Sequence, residues 1–262
     1  MGILNVTPDS FAESGSSLNH ASAIDAALQM EADGAGIVDV GGESTRPGAV
    51  PISSAEEMAR VIPVLEGLAG RMRVPISIDT YKADVARAAA KAGAVMINDV
   101  SGLRFDPRLG QAAAECGAAL ILMHSRGGPA TMHAEPAYTD LVSEVVSELR
   151  ASMNDALAAG VAADRIILDP GIGFAKRPWH SYGVLAHLPE VAAALDRPLL
   201  AGPSRKSFMR EALADRPAPE RDWGTAAAVT AAVLAGAHIV RVHAVKEMVQ
   251  VVRVADEIRR HS

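Results

Sequence analysis

The chain is 262 residues long, 49% hydrophobic and only 3% aromatic, with a formal net charge of -6 and one cysteine. That length favours one large domain or two small ones, the acidic balance argues against general nucleic-acid binding, and a lone Cys116 excludes an intramolecular disulfide framework. No window reaches the roughly 18 continuous apolar residues of a membrane span and no basic segment opens the chain, so no membrane association and a cytoplasmic location are expected, with Cys116 as a buried apolar residue.

Short apolar runs ending in a polar residue or glycine recur along the chain, each followed by a longer stretch of helical periodicity. In chain order the spacing predicts strands over Gly2–Val6, Ile37–Val40, Pro75–Ile78, Val95–Asn98, Ala119–Met123, Arg165–Leu168, Pro198–Ala201 and Ile239–Val242. Between them it predicts helices over Ala21–Asp33, Ser54–Ala69, Lys82–Ala92, Pro107–Cys116, Leu141–Ala159, Ser181–Leu195, about Ser207–Ala214, Gly224–Ala235 and Val245–Arg260. Several of these helices close on a glycine before an apolar residue, as at Gly34, Gly93 and Gly236, where a left-handed C′ position leads into the next strand. Strand and helix alternate throughout, the strand count fits a closed barrel and no composition break marks a second domain, so the fold class is α/β, a (β/α)8 TIM barrel in a single domain over residues 1–262. A doubly wound open sheet, also made of βαβ units, is the rival.

In a barrel the residues that follow each strand converge on one mouth. Here they are dense in polar groups: Asn5, Thr7, Asp9 and Ser10; Asp39, Glu43, Thr45 and Arg46; Asp79 and Thr80; Asn98 and Asp99; His124 and Arg126; Asp169; Ser204, Arg205 and Lys206; Arg241 and His243. Asp, Asn, Ser and Thr at such places often cap the next helix, but capping needs no Arg, Lys or His, and polar ends on apolar strands must find partners. Asp79, Asn98 and Asp169 suit a flat heterocycle with an amidine-like NH edge. Lys206, Arg241 and His243 come from the last strands, where barrels commonly hold phosphate, and the spacing Arg241-x-His243 puts both on one strand face. One ligand with a nitrogen ring and a phosphate tail would satisfy both zones.

The Gly-, Pro- and Ser-rich loops Thr7–Gly15 and Gly41–Gly48 look like lids. Gly171-Ile172-Gly173-Phe174 lacks the third glycine of a dinucleotide loop and is read as letting a ring pack close to backbone. His20, His133, His180, His187 and His238 have no metal-ligand spacing and are read as surface or packing residues, while Met123 suits either the core or the face of an aromatic ligand.

At these residues the chain resembles the dihydropteroate synthase family over nearly its whole length. The motifs that carry the resemblance are Gly2–Phe11, Asp39–Gly48, Ile78-Asp79-Thr80, Ile97–Val100, Leu122-Met123-His124, Asp169–Phe174, Ser204-Arg205-Lys206 and Arg241-Val242-His243. The resemblance implies a pterin pocket of Asp79, Asn98, Asp169 and Lys206 lined by Met123, Phe174 and Gly202. It also implies a diphosphate site of Asn5, Thr45, Arg241 and His243, with Mg2+ on the diphosphate and on Asn5. Lids formed by Thr7, Pro8, Asp9, Ser10 and Phe11 with Arg46 and Pro47, assisted by Ser204 and a helix N-terminus near Ser207, would build the para-aminobenzoate pocket. Asp79, Asp169, Lys206, Arg241 and His243 are then the catalytic set, Mg2+ the cofactor, a pterin diphosphate and para-aminobenzoate the substrates, and a homodimer through the late helices the assembly.

Two departures from that family are visible. Ala244 stands where many members have Asp, so a contact to His243 is expected to be missing or supplied differently, and the chain opens directly on the first motif, so a segment in front of the first strand is expected to be absent or the start to lie elsewhere. A pterin-binding methyltransferase serving a corrinoid protein shares the barrel and the carboxylates, but Glu43–Gly48 with Arg241-x-His243 favours the synthase. A paralogue that binds pterin without turnover is the other alternative.

Overall fold

The computed structural model describes residues 1–7, 20–45, 48–128, 131 and 137–261. All eight predicted strands are present: β1 Gly2–Asn5, β2 Val38–Gly41, β3 Ile76–Asp79, β4 Met96–Asp99, β5 Ala119–Met123, β6 Ile166–Asp169, β7 Leu200–Ala201 and β8 Ile239–Val240. Strands β1 to β6 pair in sequence order and in parallel, β7 pairs β8, and bridges Leu168↔Leu199 and Gly2↔Val242 join the two parts at both edges. Leu168 N–H donates to Pro198 O at 3.0 Å and Ile3 N–H to Val242 O at 3.0 Å, so the sheet closes on itself. Closure excludes the open doubly wound sheet, which keeps two edges.

The described helices are α1 His20–Ala32, α2 Ser54–Leu68, α3 Ala83–Lys91, α4 Leu109–Cys116, α5 Leu141–Ala158, α6 Pro178–Ala186, α7 Leu188–Leu195, α8 Asp222–Leu234 and α9 Val245–Arg260. Ser53 Oγ accepts from Glu56 N to start α2, and Asp140 Oδ1 accepts from Ser143 N to start α5. Gly93 closes α3 at φ +109°, with Ala94 N–H donating back to Ala89 O at 3.0 Å; Gly34 and Gly236 repeat the arrangement.

Three expectations are corrected. The helix predicted over Ser181–Leu195 is two, because Pro189 has no N–H to continue the ladder and His187 ends one helix where the next begins. The helix predicted from Ser207 is a three-residue 3-10 turn, Ser207–Met209, whose continuation ends at positive φ in Ala214 and Asp215. Cys116 is exposed, because it is the last residue of α4, where the chain turns away through the exposed, left-handed Gly117.

Strand parity sorts the interior. Outward residues such as Leu4, Val38, Val40, Ile78, Ile97, Leu120, Leu122 and Leu168 pack under the helices, which meet them with small residues such as Ala83, Ala86 and Ala89 of α3. Each fully buried Leu or Ile contributes about 1.5–3 kcal/mol, and small helix residues let the helices lie close, which is how the fold does without aromatic filler. Inside the barrel, Met96, Ile121 and Leu200 pack with Met1, Ile37, Ala119, Ile167 and Ile239 into an apolar lower layer. Two residues further along those strands, the inward positions are Asp39, Asn98, Met123, Asp169, Gly202 and Arg241, the upper layer.

Candidate active site

Strand register sets the level of each polar side chain. Asn5 pairs Gly41, Gly41 pairs Asp79 and Asp79 pairs Asn98, so one ring of the barrel carries these groups, while Met123 pairs Asp169 on the far side. Asp39 lies two residues below Gly41 and is fully buried.

Arg241, reaching in from the residue after β8, ties this ring together. Its Nε donates to Asp39 Oδ2 and its Nη2 to Asp79 Oδ2, each at 2.6 Å, and Asn98 Nδ2 donates to the same Asp39 oxygen at 3.0 Å. One guanidinium therefore serves two carboxylates. Burial, with Asp39 close by, pushes the Asp79 carboxyl up to about 7 against the pull of Arg241.

On the opposite wall, Asp169 is held by its own turn: Gly171 N–H donates to Asp169 Oδ1 at 2.7 Å. Burial raises its carboxyl, and Lys206 opposes this most among the charges around it. The Lys206 ammonium donates to Ile172 O, lies 4.3 Å from the centre of the Phe174 ring and is pulled down to about 8 by burial. Phe174, Met123 and Val100 form a small apolar cluster of their own, against which Tyr81 and Phe105 pack. A Cβ on Gly202 would stand 3.9 Å from both Arg241 Cβ and Lys206 Nζ, which places this glycine between the two cations.

The glycines of the 171–174 turn make room for neighbouring protein atoms. A Cβ on Gly171 would lie 1.8 Å from His124 O, and one on Gly173 would lie 2.7 Å from Lys206 Cδ, so the turn admits backbone and the lysine stem. Gly173 also has φ +80°. Gly173→Ala is expected to displace Lys206 and to lower turnover roughly tenfold while the far-UV spectrum keeps its shape. Steady-state kinetics with circular dichroism checks this, and unchanged turnover would refute it.

Ser204 Oγ lies 2.9 Å from His243 Nδ1 and accepts the His243 N–H at 3.2 Å. The contact expected to suffer from Ala244 is thus supplied by Ser204. Asn5, Thr7 and Thr45 are half-buried at the mouth, whereas Ser207 is exposed and offers only a 3-10 turn in place of the expected helix N-terminus. Pro8, Asp9, Ser10, Phe11, Arg46 and Pro47, and with them most of both lids, lie outside the described residues, as does His133.

Several other strand-end residues turn out to hold loops. Asp99 accepts from Ser101 N, Ser101 Oγ and Leu103 N, Arg205 forms a bidentate pair with Asp222, and Arg126 pairs with Glu144 and Glu148. His187 pairs with Glu190 and His238 Nδ1 accepts from Leu199 N, in keeping with packing roles. Asp39, read only as one of many polar residues, is the central acceptor of the site. Its signal was an acid between Val38 and Val40 at inward parity with Ile37. Lys176, which makes a buried contact with His124, carried no such signal because it follows a loop.

The sequence profile of the family described as pterin binding enzyme matches residues 1–243. The chain is 48% identical to a dihydropteroate synthase of Synechocystis sp., over 99% of this chain and 90% of that protein. Its structure is similar to that of the Xanthomonas albilineans dihydropteroate synthase with 4-aminobenzoic acid, at TM-score 0.92 and 40% identity over 98% of this chain and 92% of the other. It is equally similar to the Yersinia pestis dihydropteroate synthase in a sulfonamide drug complex, at TM-score 0.92 and 43% identity over 99% and 93% of the two chains. Among the described residues no helix is long and apolar enough to cross a membrane.

Proposed function

The chain belongs to the pterin-binding enzymes and, within them, to the dihydropteroate synthases, and on that basis we propose that it condenses 7,8-dihydropterin-6-ylmethyl diphosphate with para-aminobenzoate to give 7,8-dihydropteroate and diphosphate. The observation that carries the residue assignment is the convergence of Asp39, Asp79, Asn98, Asp169, Lys206 and Arg241 in one layer of a closed barrel, above an apolar floor.

The Asp169 carboxylate, together with Asn98 and Lys206, takes the NH edge and ring oxygen of the pterin, while Phe174 and Met123 cover a ring face. As the carbon–oxygen bond to diphosphate breaks, positive charge develops on the dihydropterin, and the Asp79 and Asp169 carboxylates stabilise it. Arg241, His243, Thr45 and Asn5 receive the departing diphosphate. Arg241 is suited to this because its planar guanidinium, held by Asp39, keeps donors for phosphate oxygens. The para-aminobenzoate nitrogen then attacks the methylene carbon, and its proton leaves to solvent as the new bond forms. By the family resemblance, Thr7–Phe11, Arg46 and Pro47, with Ser204 and Ser207, are assigned to the para-aminobenzoate end.

Asn5 offers a single neutral oxygen, and among the described residues no group of three His, Cys, Asp or Glu side chains could hold a metal. This donor set fits Mg2+ carried by diphosphate oxygens and water with Asn5 as a protein ligand, where it would neutralise charge on the leaving group. We also infer a cytoplasmic homodimer formed through the late helices; Val254 and Ile258, exposed on α9, support that face.

Purified protein with the pterin diphosphate, para-aminobenzoate and Mg2+ is expected to release diphosphate and form dihydropteroate only when all three are present. Diphosphate left intact while pterin binds would overturn this in favour of a pterin-binding paralogue. Sulfonamides are expected to inhibit competitively against para-aminobenzoate; an active preparation that ignores them would contradict the assigned pocket.

A further inference from the structure

Behind the Asp169 turn lies a second buried cation that the reaction as described does not use. Lys176 is 8% exposed, and its ammonium donates to Phe174 O at 3.3 Å and lies 2.8 Å from His124 Nδ1. It is 3.4 Å from where a Cβ on Gly171 would stand, and Gly171 N–H is the donor that holds Asp169 Oδ1. The backbone N–H of His124 donates to Asp169 O at 2.8 Å, so the same residues grip the aspartate from two sides.

We propose that Lys176 is a positioning residue for Asp169: its ammonium, clamped between His124 and the Phe174 carbonyl, supplies the charge that the pterin-binding carboxylate faces from behind and fixes the turn that aims it.

This inference rests on the synthase reading and names a determinant of its pterin affinity. An ammonium has only hydrogens to offer, so on Nδ1 it meets a lone pair, and His124 carries its proton on Nε2, where Glu148 Oε2 accepts it at 3.1 Å. The ring is neutral, in keeping with burial, which lowers it to about 4. Glu148 is in turn held by Arg126, so the clamp is anchored to α5. The charges around the pair are Glu148 on α5, His124 and Arg126 after β5, Lys206 after β7 and Arg241 after β8. Burial brings Lys176 down to about 7, with Asp169 the largest charge opposing that fall. Below neutrality Lys176 is therefore charged, and it helps Lys206 hold Asp169 ionised against the raising effect of burial.

The test is the pH dependence of pterin affinity and of kcat/KM for the pterin diphosphate in the wild type, Lys176→Met and Lys176→Gln. The glutamine keeps a donor for the turn without the charge, which covers the case in which the methionine protein does not fold. Both variants are expected to bind pterin about tenfold more weakly than wild type at pH 6 and to approach it at pH 8.5, an upward shift of the acid limb by about one unit, with KM moving more than kcat. Loss by the same factor at every pH, or no loss, overturns the proposal. A wild type that binds pterin without turnover would defeat the synthase reading alone, because pterin affinity still tests Lys176. A wild type that neither binds nor turns over defeats both.

Discussion

Lys206→Ala is expected to lower kcat/KM for dihydropteroate formation by about 10²–10³-fold, the range seen when one preorganised electrostatic group is removed from a reaction centre. Three features set this expectation. The ammonium sits among Asp169, Asp79 and the Phe174 ring, its stem fills the space left open by Gly173, and burial has drawn it down to about 8, so it remains mostly charged at neutral pH and poorly screened by water. Alanine removes the charge and leaves a gap beside the ring. The fold should survive, because Lys206 lies outside every helix and strand. Steady-state kinetics together with pterin titration calorimetry would check this, and a variant retaining more than a fifth of wild-type kcat/KM would refute the assignment.

Removing Arg241 is expected to have the larger effect on stability. In Arg241→Leu, Asp39 and Asp79 lose their shared cation while staying buried, and stranding buried charge in this way costs about 3–5 kcal/mol. The deficit should depend on pH with a definite sign. Burial already raises Asp79 to about 7, above its unfolded value, so its contribution is fully present below pH 4 and is lost as pH rises through 7. Without Arg241 the carboxyl rises further, and the lost stabilisation grows with pH by up to roughly 1.4 kcal/mol per unit. Urea unfolding at pH 5.5 and pH 8.0 should therefore show a clearly larger deficit at the higher pH. Equal deficits would mean that the ion pairs are not what Arg241 contributes.

Much of the fold was legible because strand parity is a simple code. Alternation in Met96–Asp99 or Ala119–Met123 separates helix-facing from barrel-facing residues, and the polar ends of the inward set mark the mouth. The same code located Asp79, Asn98, Asp169 and Arg241. It missed what depends on chain direction outside strands. Whether His124, Arg126 and Arg205 turn into the mouth or back onto a helix is decided by partners such as Glu148 and Asp222, which lie 17 to 24 residues away with no fixed spacing. A helix break was missed where proline acts locally, at Pro189, and Cys116 was misplaced because hydrophobic character alone does not say that a residue falls at the open end of a short helix.

The ion pair between Arg241 and Asp39 joins residues 202 positions apart. During synthesis, the acids of the second and third strands emerge from the ribosome long before the guanidinium that pairs them. Until then a growing chain that buried Asp39 and Asp79 would have to do so with protons attached or with another cation in place. Premature compaction of the first six strands is thereby disfavoured at neutral pH, and arrival of the last strand both seals the barrel and discharges its interior, so assembly of the catalytic ring and completion of folding become the same event.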